Sequence, residues 1–295
     1  MSDIENIQNY NIKQIYQWIY KKHVYDFDKM SNLPLALRAT LKEKFNLSYP
    51  PPAQIDIAND GTKKYLFVFD EKKSIETAVI NDEPRITICL STQAGCRYGC
   101  KFCATGKIGF NGNLSAGEIL WQLMAIDEIN DFTNIVFMGM GEPFHNYDAT
   151  IAAIDRLNHP KGYNFGERRF TISTVGLVPL IERFTAEHRQ VNLAISLHAA
   201  EDELRTKMLP INRKYPLEAL LAACRSYTQA TRRRITFEWA LIRDVNDSED
   251  EARRLARHLK GMLCHVNIIP LNPTQQYPRP ATKRHSALAF QADLQ

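Results

Sequence analysis

Three cysteines lie within eight residues of one another, in the sequence Cys96-Arg-Tyr-Gly-Cys100-Lys-Phe-Cys103. Three thiolates on one short loop can hold three irons of a [4Fe–4S] cluster, a group that four cysteines normally bind. The motif contains no fourth cysteine, so one iron would keep an open coordination position. By analogy with zinc sites, an open position indicates a reactive centre rather than a structural one. The spacing therefore predicts a reactive iron–sulfur site.

Two other interpretations of these cysteines are weaker. A structural zinc site usually has two paired sets of ligands, and no second pair is present in the sequence. Three buried core cysteines would not be expected beside Gly95, Arg97, Gly99 and Lys101, which make the loop polar. We find no export signal, and this favours metal or redox chemistry over structural disulfides. Cys224, in a predicted helix, and Cys264, at the start of the last predicted strand, are predicted to be small core residues.

The segments that must position this loop alternate between short β-rich runs and helical patterns from Arg85 onward. Alternation of this kind predicts parallel strands joined by right-handed crossovers. Six strands are too few to close an eightfold barrel. We predict an α/β fold with a partial (β/α)6 barrel, and an open doubly wound sheet is the alternative. The predicted strands are Arg85–Leu90, Asn134–Met138, Arg169–Ser173, Val191–Leu197, Arg234–Leu241 and Cys264–Leu271.

Polar or glycine-rich residues follow the carboxyl ends of the predicted strands, which is the edge where β/α barrels carry their active sites. Helical patterns lie between the strands, and the first of them, Ser115–Ile129, has Ser115 and Glu118 spaced as a capping box. The other helices are predicted at Tyr147–Leu157, Leu217–Thr228 and Ser248–Lys260. The polar groups after the strands are the cysteine motif, Gly139-Met140-Gly141-Glu142-Pro143, Ser173-Thr174, Ser196-Leu197-His198 and Asn272-Pro273.

The amino-terminal part of the chain has a different pattern. Residues 1–48 have helical periodicity, and Pro50-Pro51-Pro52 interrupts it. Thr62–Phe69 and Ile75–Ile80 are predicted to form a β-hairpin. We therefore divide the chain into a small helical and β-hairpin accessory domain, residues 1–75, and a core domain, residues 76–295.

Charge and hydropathy restrict the partners and the location. The 295-residue chain has a net charge of only +4, but residues 205–234 contain eight Lys or Arg and one acidic residue. Such a surplus suits a polyanionic partner, although a solvated helix face is an equal alternative. No stretch of eighteen apolar residues and no secretory signal is found. We expect a cytoplasmic protein with no membrane partner.

The cysteine motif, with Phe102 before its last cysteine, resembles that of the radical S-adenosylmethionine superfamily. This resemblance implies that the amino and carboxylate groups of S-adenosylmethionine bind the open iron. It also implies that an electron from the cluster cleaves the sulfonium to give a 5′-deoxyadenosyl radical. The protein would then contribute positioning and exclusion of water, because the cofactor carries the difficult chemistry.

A narrower resemblance is to the radical methyltransferases that modify adenine in 23S ribosomal RNA. Members that methylate C2 of adenine also act on transfer RNA, and related enzymes methylate C8. The resemblance covers the chain from about Glu76 onward, and the amino-terminal part resembles the family's accessory domain. It rests on Cys89-Leu-Ser-Thr-Gln-Ala-Gly-Cys96, Met138-Gly-Met-Gly-Glu-Pro-Phe-His-Asn146, Ser173-Thr-Val-Gly176, Ser196-Leu-His198 and Ile269-Pro-Leu-Asn-Pro273.

The resemblance implies a role for each matched residue. Glu76 would accept a proton, and Cys89 would resolve a protein–RNA adduct by forming a disulfide. Each assignment has a structural alternative, such as Glu142 capping a helix or His198 being a satisfied buried histidine. The implied cluster ligands are Cys96, Cys100 and Cys103. The implied S-adenosylmethionine contacts are Gly141 and Glu142 at its amino end, with Ser173, Ser196, Leu197, His198 and Asn272 around the rest.

The sequence departs from this family at its end. The family carries a methylated cysteine in an Ala-Cys-Gly-Gln-Leu-type segment, but no cysteine follows Cys264 here, and the sequence stops at Gln295 within a predicted helix, Ser286–Leu294. We interpret the sequence as a fragment rather than a natural truncation. We expect this chain to cleave S-adenosylmethionine without methylating RNA.

The expected partners are 23S rRNA, tRNA and an electron donor such as flavodoxin or ferredoxin, and we expect a monomer. Two competing functions are a radical enzyme for a small molecule or peptide, and a non-catalytic RNA-binding protein with a vestigial cluster site. The basic Arg232–Arg234 run and the Cys89 motif argue against the first of these. An iron assay would separate the second from the two enzymatic functions.

Overall fold

A nine-stranded sheet lies at the centre of the computed structural model, which describes residues 7–47 and 49–294. Parts of the predicted helical region, residues 1–6 and Ser48, and the final Gln295 lie outside the described residues. The strands, in chain order, are β1 (Gln54–Ile57), β2 (Lys63–Val68), β3 (Ser74–Asp82), β4 (Arg85–Cys89), β5 (Gln93–Gly95), β6 (Phe110–Asn113), β7 (Asn134–Phe137), β8 (Phe170–Thr174), β9 (Asn192–Ser196), β10 (Ile235–Leu241) and β11 (Cys264–Pro270). The nine-stranded sheet has the order β1-β2-β3-β4-β7-β8-β9-β10-β11, and β5 pairs with β6 separately.

Six strands of the large sheet are parallel neighbours, from β4 through β7, β8, β9 and β10 to β11. They coincide with the six predicted strands, and the α/β fold with six parallel units is confirmed. Among the described residues, β11 has β10 as its only strand neighbour, so the ladder stays open. The carboxyl ends of all six strands therefore lie along one edge of the sheet.

Burial alternates along these strands, and this separates the two faces of the sheet. In β8, Phe170, Ile172 and Thr174 are buried, while Thr171 and Ser173 are half-buried. β7 alternates in the same way. The buried side chains pack against helices, since side chains that are two residues apart on a strand share a face. The other face is open and carries the polar side chains.

In the described part of the chain, ten α-helices accompany the strands. They are α1 (Asn9–Tyr20), α2 (Leu35–Lys44), α3 (Ala104–Ile108), α4 (Ala116–Met124), α5 (Tyr147–Asn158), α6 (Val178–Ala186), α7 (Asp202–Met208), α8 (Leu217–Thr231), α9 (Glu249–Leu259) and α10 (Arg284–Asp293). The predicted capping box of α4 is present, because the Glu118 N–H donates to Ser115 Oγ at 3.2 Å and the Ser115 N–H donates to Glu118 Oε2 at 2.7 Å. α4 ends at Met124, earlier than predicted, where the Tyr25 hydroxyl donates to the Met124 carbonyl.

The amino-terminal helices have a small core of their own, formed by Ile15, Ile19, Phe27, Met30, Leu33 and Leu41. The β-hairpin that follows, β2 and β3, joins the main sheet through the pairing of β3 with β4. The predicted boundary between residues 75 and 76 falls inside β3, and the two-domain division stays a prediction. No helix in the described part of the chain has the length and apolar character that crossing a membrane requires.

Candidate active site at the carboxyl ends of the strands

The cysteine loop begins where the chain leaves β4 and forms the small sheet of β5 and β6. Gly95 pairs with Phe110, and the Cys96 N–H donates to the Gly109 carbonyl at 2.8 Å. Gly95 has φ +69°, and a Cβ atom there would lie 1.7 Å from the Gly109 carbonyl oxygen. No side chain fits this position, so the backbone of the small sheet fixes where the loop starts.

Backbone hydrogen bonds hold the rest of the loop. The Lys101 N–H donates to the carbonyl of Met208, the last residue of α7, at 2.9 Å. The Cys103 N–H donates to the Cys100 carbonyl at 3.1 Å and closes a turn between these two cysteines. The loop is therefore attached both to the small sheet and to the helix that follows β9.

The three thiols of the loop are free and half-buried. Burial, together with the charge of Glu142 and that of a thiolate at Cys103, raises the pKa of Cys96 to about 11. Burial also raises the pKa of Cys100, and thiolates at Cys103 and Cys96 act in the same direction. The thiols are thus close enough to repel one another when ionised. Metal binding must displace protons from them, because the thiolate is the ligand.

Among residues 7–47 and 49–294, no three His, Cys, Asp or Glu side chains converge on a point that could hold a single metal ion. A zinc site needs such convergence, since its ligands all lie about 2.0–2.3 Å from one ion. In a [4Fe–4S] cluster each thiolate binds a different iron, so the thiols are spread over separate corners. Three half-buried, electrostatically coupled thiols on one loop fit the cluster better than zinc.

Two glycines allow the segment after β7 to lie against the backbone that follows β4. A Cβ atom at Gly139 would lie 2.7 Å from Ser91 Oγ. Gly141 has φ +99°, and a Cβ atom there would lie 2.5 Å from the Gln93 Cβ. This close approach lets the Glu142 N–H donate to Gln93 Oε1 at 2.8 Å. The glycine-rich segment is therefore fixed directly beside the start of the cysteine loop.

The Glu142 carboxylate is buried between two loops. Its Oε1 accepts the Phe144 N–H at 3.0 Å, and its Oε2 accepts the Val175 N–H at 2.8 Å. Burial raises the pKa of Glu142 to about 7, although these hydrogen bonds act in the opposite direction. Both partners lie outside α5, and the alternative that Glu142 caps this helix is wrong. Glu142 instead links the loops after β7 and β8.

The predicted serines lie at the carboxyl ends of β8 and β9. Ser173 and Ser196 are half-buried, and the residue opposite Ser173 is Ala194, two positions before Ser196 on the same strand. Both serines therefore face the open side of the sheet. Leu197, the next residue, is buried and contributes to the core.

His198 is buried; it lies just after β9 and is hydrogen-bonded to β10. It has φ +60°, and its Nδ1 accepts the Ala240 N–H at 2.9 Å, which assigns the proton of the neutral ring to Nε2. Burial, together with the charge of Arg205, lowers the pKa of His198 to about 3. The Phe102 ring meets the imidazole edge-on, with ring centroids 4.8 Å apart. A neutral His198 thus stands directly against the cysteine loop.

The structure brings Glu76 and Cys89 to the same edge. Glu76 is exposed on β3 and forms an ion pair with Lys64 at 3.0 Å, while its backbone N–H lies 3.3 Å from Met140 Sδ. Its carbonyl accepts a hydrogen bond from Ser91 Oγ at 2.5 Å. Cys89 ends β4 as a half-buried thiol, and burial raises its pKa to about 11. Glu76 thus lies beside the glycine-rich segment, with Cys89 on the neighbouring strand.

Asn272 is the predicted site residue that the structure holds least firmly. It is exposed and follows β11, just after Leu271, whose N–H donates to the Leu241 carbonyl at 3.1 Å. Its side chain makes no hydrogen bond with the described part of the chain that would fix its direction. Asn272 therefore shares the edge with the other residues, without the backbone contacts that fix Glu142 and His198.

Comparison with known proteins identifies the family. A family model described as the radical SAM superfamily matches residues 90–256, and one described as the ribosomal RNA large subunit methyltransferase N-terminal domain matches residues 4–47. A protein of Clostridium novyi named "Probable dual-specificity RNA methyltransferase RlmN" is 45% identical over 286 residues, which are 95% of this chain and 83% of that protein. The chain belongs to the RlmN family of radical SAM methyltransferases. It is therefore a methyl-transferring enzyme that uses a [4Fe–4S] cluster and S-adenosylmethionine.

Other relatives agree with the RlmN assignment. A protein of the same name from Geobacillus kaustophilus is 45% identical, over 95% of this chain and 78% of that protein. The crystal structure of a radical SAM methyltransferase from Sphaerobacter thermophilus has a TM-score of 0.93 at 45% identity and covers 98% of this chain and 87% of that one. The hydrogenase maturase HydG from Carboxydothermus hydrogenoformans, at 19% identity and a TM-score of 0.52 over 70% of this chain and 51% of that one, shares the fold alone.

Arg205 corrects one expectation from the sequence. It belongs to the basic run, residues 205–234, that was expected to bind a polyanionic partner, but its side chain is fully buried. Its guanidinium donates to the carbonyls of Val175, Ser196 and Leu197 at 2.9–3.1 Å. Arg205 therefore holds the ends of β8 and β9 in this RlmN-family site. Its position in the short helix α7 gave no signal of this role.

Gln93 is a second site residue that the sequence analysis missed. Besides accepting the Glu142 N–H, its Nε2 lies 2.7 Å from both Asn113 Oδ1 and His145 Nδ1. It is fully buried. The available signal was an amide side chain placed between the end of a buried strand and Gly95, where an apolar residue would be the default.

The other two cysteines differ in burial. Cys224, in α8, is fully buried, and its prediction as a core residue is confirmed. Cys264 was predicted to be a core residue as well, but it is half-buried because it opens the edge strand β11.

Proposed function

We propose that this enzyme methylates C2 of an adenine in 23S ribosomal RNA and also in transfer RNA. The observation that supports this most strongly is the three-thiol loop packed against Glu142 and His198 in a chain of the RlmN family. The match of residues 4–47 to the amino-terminal domain of ribosomal RNA methyltransferases supports ribosomal RNA as a substrate. The dual-specificity names of the relatives support a second RNA substrate.

In this proposal, Cys96, Cys100 and Cys103 hold the cluster. When bound, the cluster and S-adenosylmethionine supply the methyl group and the radical chemistry that the electrophilic C2 carbon of adenine requires. Gly141 and Glu142 would receive the amino end of S-adenosylmethionine, and Ser173, Ser196, Leu197, His198 and Asn272 would line the rest of its pocket. Because His198 is neutral and its Nδ1 already accepts a hydrogen bond, its Nε2 can act only as a donor.

Glu76 and Cys89 would handle protons and thiol chemistry on the RNA side. Glu76 is an exposed carboxylate at the carboxyl edge, and a carboxylate there can accept the proton that leaves C2. Cys89 would form the disulfide that releases the product. Burial raises the pKa of its thiol to about 11, so we expect it to stay protonated until a base or the substrate is close.

The family resemblance implies a relay in which a methylated cysteine carries the methyl group to the base. That cysteine is not among the 295 residues, since no cysteine follows Cys264. When these 295 residues are reconstituted anaerobically and assayed by themselves, we therefore expect 5′-deoxyadenosine from S-adenosylmethionine without methyladenine in RNA. Mass spectrometry of digested rRNA and tRNA transcripts measures both products. Any methyladenine formed by this chain would contradict the relay.

A chimera tests the position of methylation. The chain is extended with the cysteine-bearing carboxyl-terminal segment that the family resemblance implies, and the same transcripts are digested after reaction. We expect 2-methyladenosine from the chimera, and none from a control chimera in which that cysteine is alanine. 8-Methyladenosine would instead support the C8 alternative. Failure of both proteins to bind either RNA would support an enzyme for a non-RNA substrate.

A further inference from the structure

A cavity of about 790 Å³ lies on the open face of the sheet and extends from the amino ends of the parallel strands to Met138, which follows β7, and Glu238 within β10. Arginines that precede or begin three different strands meet there, because amino ends of parallel strands share one edge of a sheet. Arg85 begins β4, Arg168 precedes β8, and Arg232–Arg234 precede β10. The five arginines that line the cavity are Arg85, Arg168, Arg232, Arg233 and Arg234.

The charge of this cavity is strongly unbalanced. Glu238 is the only carboxylate among the described residues that line it. Glu238 is buried, and its Oε2 accepts a hydrogen bond from Asn267 Nδ2 at 2.8 Å. Within the described ranges, none of the five arginines has a carboxylate within 4.0 Å. By contrast, Arg183 and Arg189 on the outer surface are each paired with two or more carboxylates.

Neutral amides orient part of this cluster without cancelling its charge. Arg233 Nη2 donates to Asn192 Oδ1 at 2.7 Å, and its Nη1 donates to Gln190 Oε1 at 3.1 Å. Arg168 Nη2 donates to the same Gln190 oxygen at 3.4 Å. Amide partners hold the guanidinium groups in place, and the positive charge of each remains available to a ligand.

We propose that the arginines of this cavity bind phosphate groups of the RNA backbone at the amino edge of the sheet, while the reacting base lies at the carboxyl edge. This inference rests on the proposed function, since it assumes an RNA substrate. Unpaired guanidinium groups at close range repel one another, and a polyanion relieves that repulsion. The fork of a guanidinium also matches two phosphate oxygens.

The arginines lie at the end of the cavity that is farther from the cysteine loop. β4 has five residues and β10 has seven, so these strands place the amino edge about 16–23 Å from the carboxyl edge. Phosphates bound at the arginine cavity would belong to nucleotides flanking the target adenine, and they would fix the position of the RNA without reading its sequence.

The test compares two double variants of equal charge. Arg85→Gln/Arg234→Gln removes two exposed arginines of the cavity. The matched control, Lys207→Gln/Arg253→Gln, removes two exposed cations that lie outside the cavity and pair with Glu203 and Glu249. The dissociation constant of a fluorescein-labelled, unmodified tRNA transcript is measured over a range of KCl concentrations. Thermal unfolding verifies that each variant is folded.

We expect the cavity variant to bind tRNA about tenfold more weakly at low salt, from the loss of two charge-assisted contacts. The slope of log Kd against log salt should fall by about 1.4–1.8, which corresponds to two phosphate contacts. The control should keep the slope of the unmodified chain. Arg85→Lys/Arg234→Lys, which preserves the charges, should also keep most of the slope of log Kd against log salt.

Three outcomes would overturn the proposal in distinguishable ways. If the unmodified chain does not bind tRNA, the proposed function fails together with this inference. If it binds tRNA and the cavity variant matches the control, the inference alone fails. If the cavity variant loses binding of inorganic diphosphate but not of tRNA, the cavity is a site for a free small anion and not for the RNA backbone.

Discussion

The two edges of the parallel sheet hold their functional side chains in different ways. At the carboxyl edge, Glu142 and His198 are buried and fixed by backbone N–H groups from neighbouring loops and strands. At the amino edge, Arg85 and Arg234 are exposed, and only neutral amides orient Arg233 and Arg168. The first edge fixes positions closely, whereas the second concentrates charge with little constraint.

This difference matches what each edge has to do. Chemistry at one atom requires groups that are placed to within about 0.5 Å by packing and hydrogen bonds. Attraction of a polyanion depends on the summed charge and tolerates variable geometry. Substitutions at the carboxyl edge should therefore change catalysis and stability strongly, and substitutions at the amino edge should mainly change salt-dependent binding.

The largest expected effect is that of Cys100→Ala. Removing one of three thiolates should prevent stable cluster binding, so iron content, the brown absorption band and formation of 5′-deoxyadenosine should all fall to background. The matched control is Cys264→Ala, which removes a half-buried thiol outside the loop. This variant should keep its iron content, its absorption band and its formation of 5′-deoxyadenosine. If Cys100→Ala kept its iron content and still cleaved S-adenosylmethionine, this thiol would not be a ligand. Binding of tRNA should be unchanged in both variants, because the arginines are untouched.

Gly95→Ala should have the next largest effect. Its Cβ would lie 1.7 Å from the Gly109 carbonyl oxygen at a φ of +69°, so the backbone of the small sheet must move. We expect a loss of about 2–4 kcal/mol in the free energy of unfolding, together with a lower iron content. Gly166→Ala is the control, since that glycine has no atom within 4 Å of an added Cβ and should change stability by less than about 0.5 kcal/mol. Equal effects of the two substitutions would contradict the fixed geometry of the carboxyl edge.

His198→Asn should change how the stability of the metal-free chain depends on pH. Burial lowers the pKa of His198 to about 3, against an ordinary value of 6.5, so the folded state resists a proton that the unfolded state accepts. Stability from this source is complete above pH 6.5 and is lost progressively as the pH falls towards 3. Between pH 7.5 and pH 5 the loss should be about 2 kcal/mol.

Asparagine retains an acceptor for the Ala240 N–H and tolerates the left-handed backbone of residue 198, but it does not titrate. Urea unfolding of both proteins at pH 7.5 and pH 5 measures the effect. The variant should lose about 2 kcal/mol less than the unmodified chain between these two pH values. An identical loss in both would mean that His198 accepts a proton in the folded state as easily as in the unfolded one.

The smallest expected effect is on stability at the amino edge. Arg85→Gln/Arg234→Gln should leave the metal-free chain unchanged or stabilise it by up to about 0.5 kcal/mol at low salt, because it reduces repulsion between unpaired arginines. In 1 M salt, where the screening length is about 3 Å, the gain should disappear. Urea unfolding at both salt concentrations is the measurement. A large destabilisation would show that these arginines are structural, like Arg205.

Much of the fold followed from the sequence because its signals are local. The six parallel strands were recognisable by their short apolar runs, and the capping box of α4 by two residues three positions apart. β1, β5, β6 and α3 were missed, since each has five residues or fewer and too little length to show a period. Contacts with residues distant in the sequence determine these elements, as the contact between Gly95 and Gly109 does for β5 and β6.

Two arginines of the same basic run differ in burial, and the sequence did not predict this difference. Arg205 is fully buried against carbonyl groups, whereas Arg234 is exposed at the rim of the arginine cavity. Residue type and local charge are the same for both. Only the packing of α7 against the ends of β8 and β9 decides which guanidinium is available to a ligand.

The sequence by itself determined the three-thiol loop, because residues within eight positions of one another cannot lie far apart along a chain whose Cα atoms are 3.8 Å apart. The sequence also determined the six apolar runs that form the parallel strands. The tertiary structure alone decided that Glu142 meets Val175, that His198 meets Ala240, and that arginines from three strands share one cavity. These contacts join residues more than thirty positions apart. Chain connectivity does not impose them, and they form only because burying the whole sheet offsets the entropy of closing such loops.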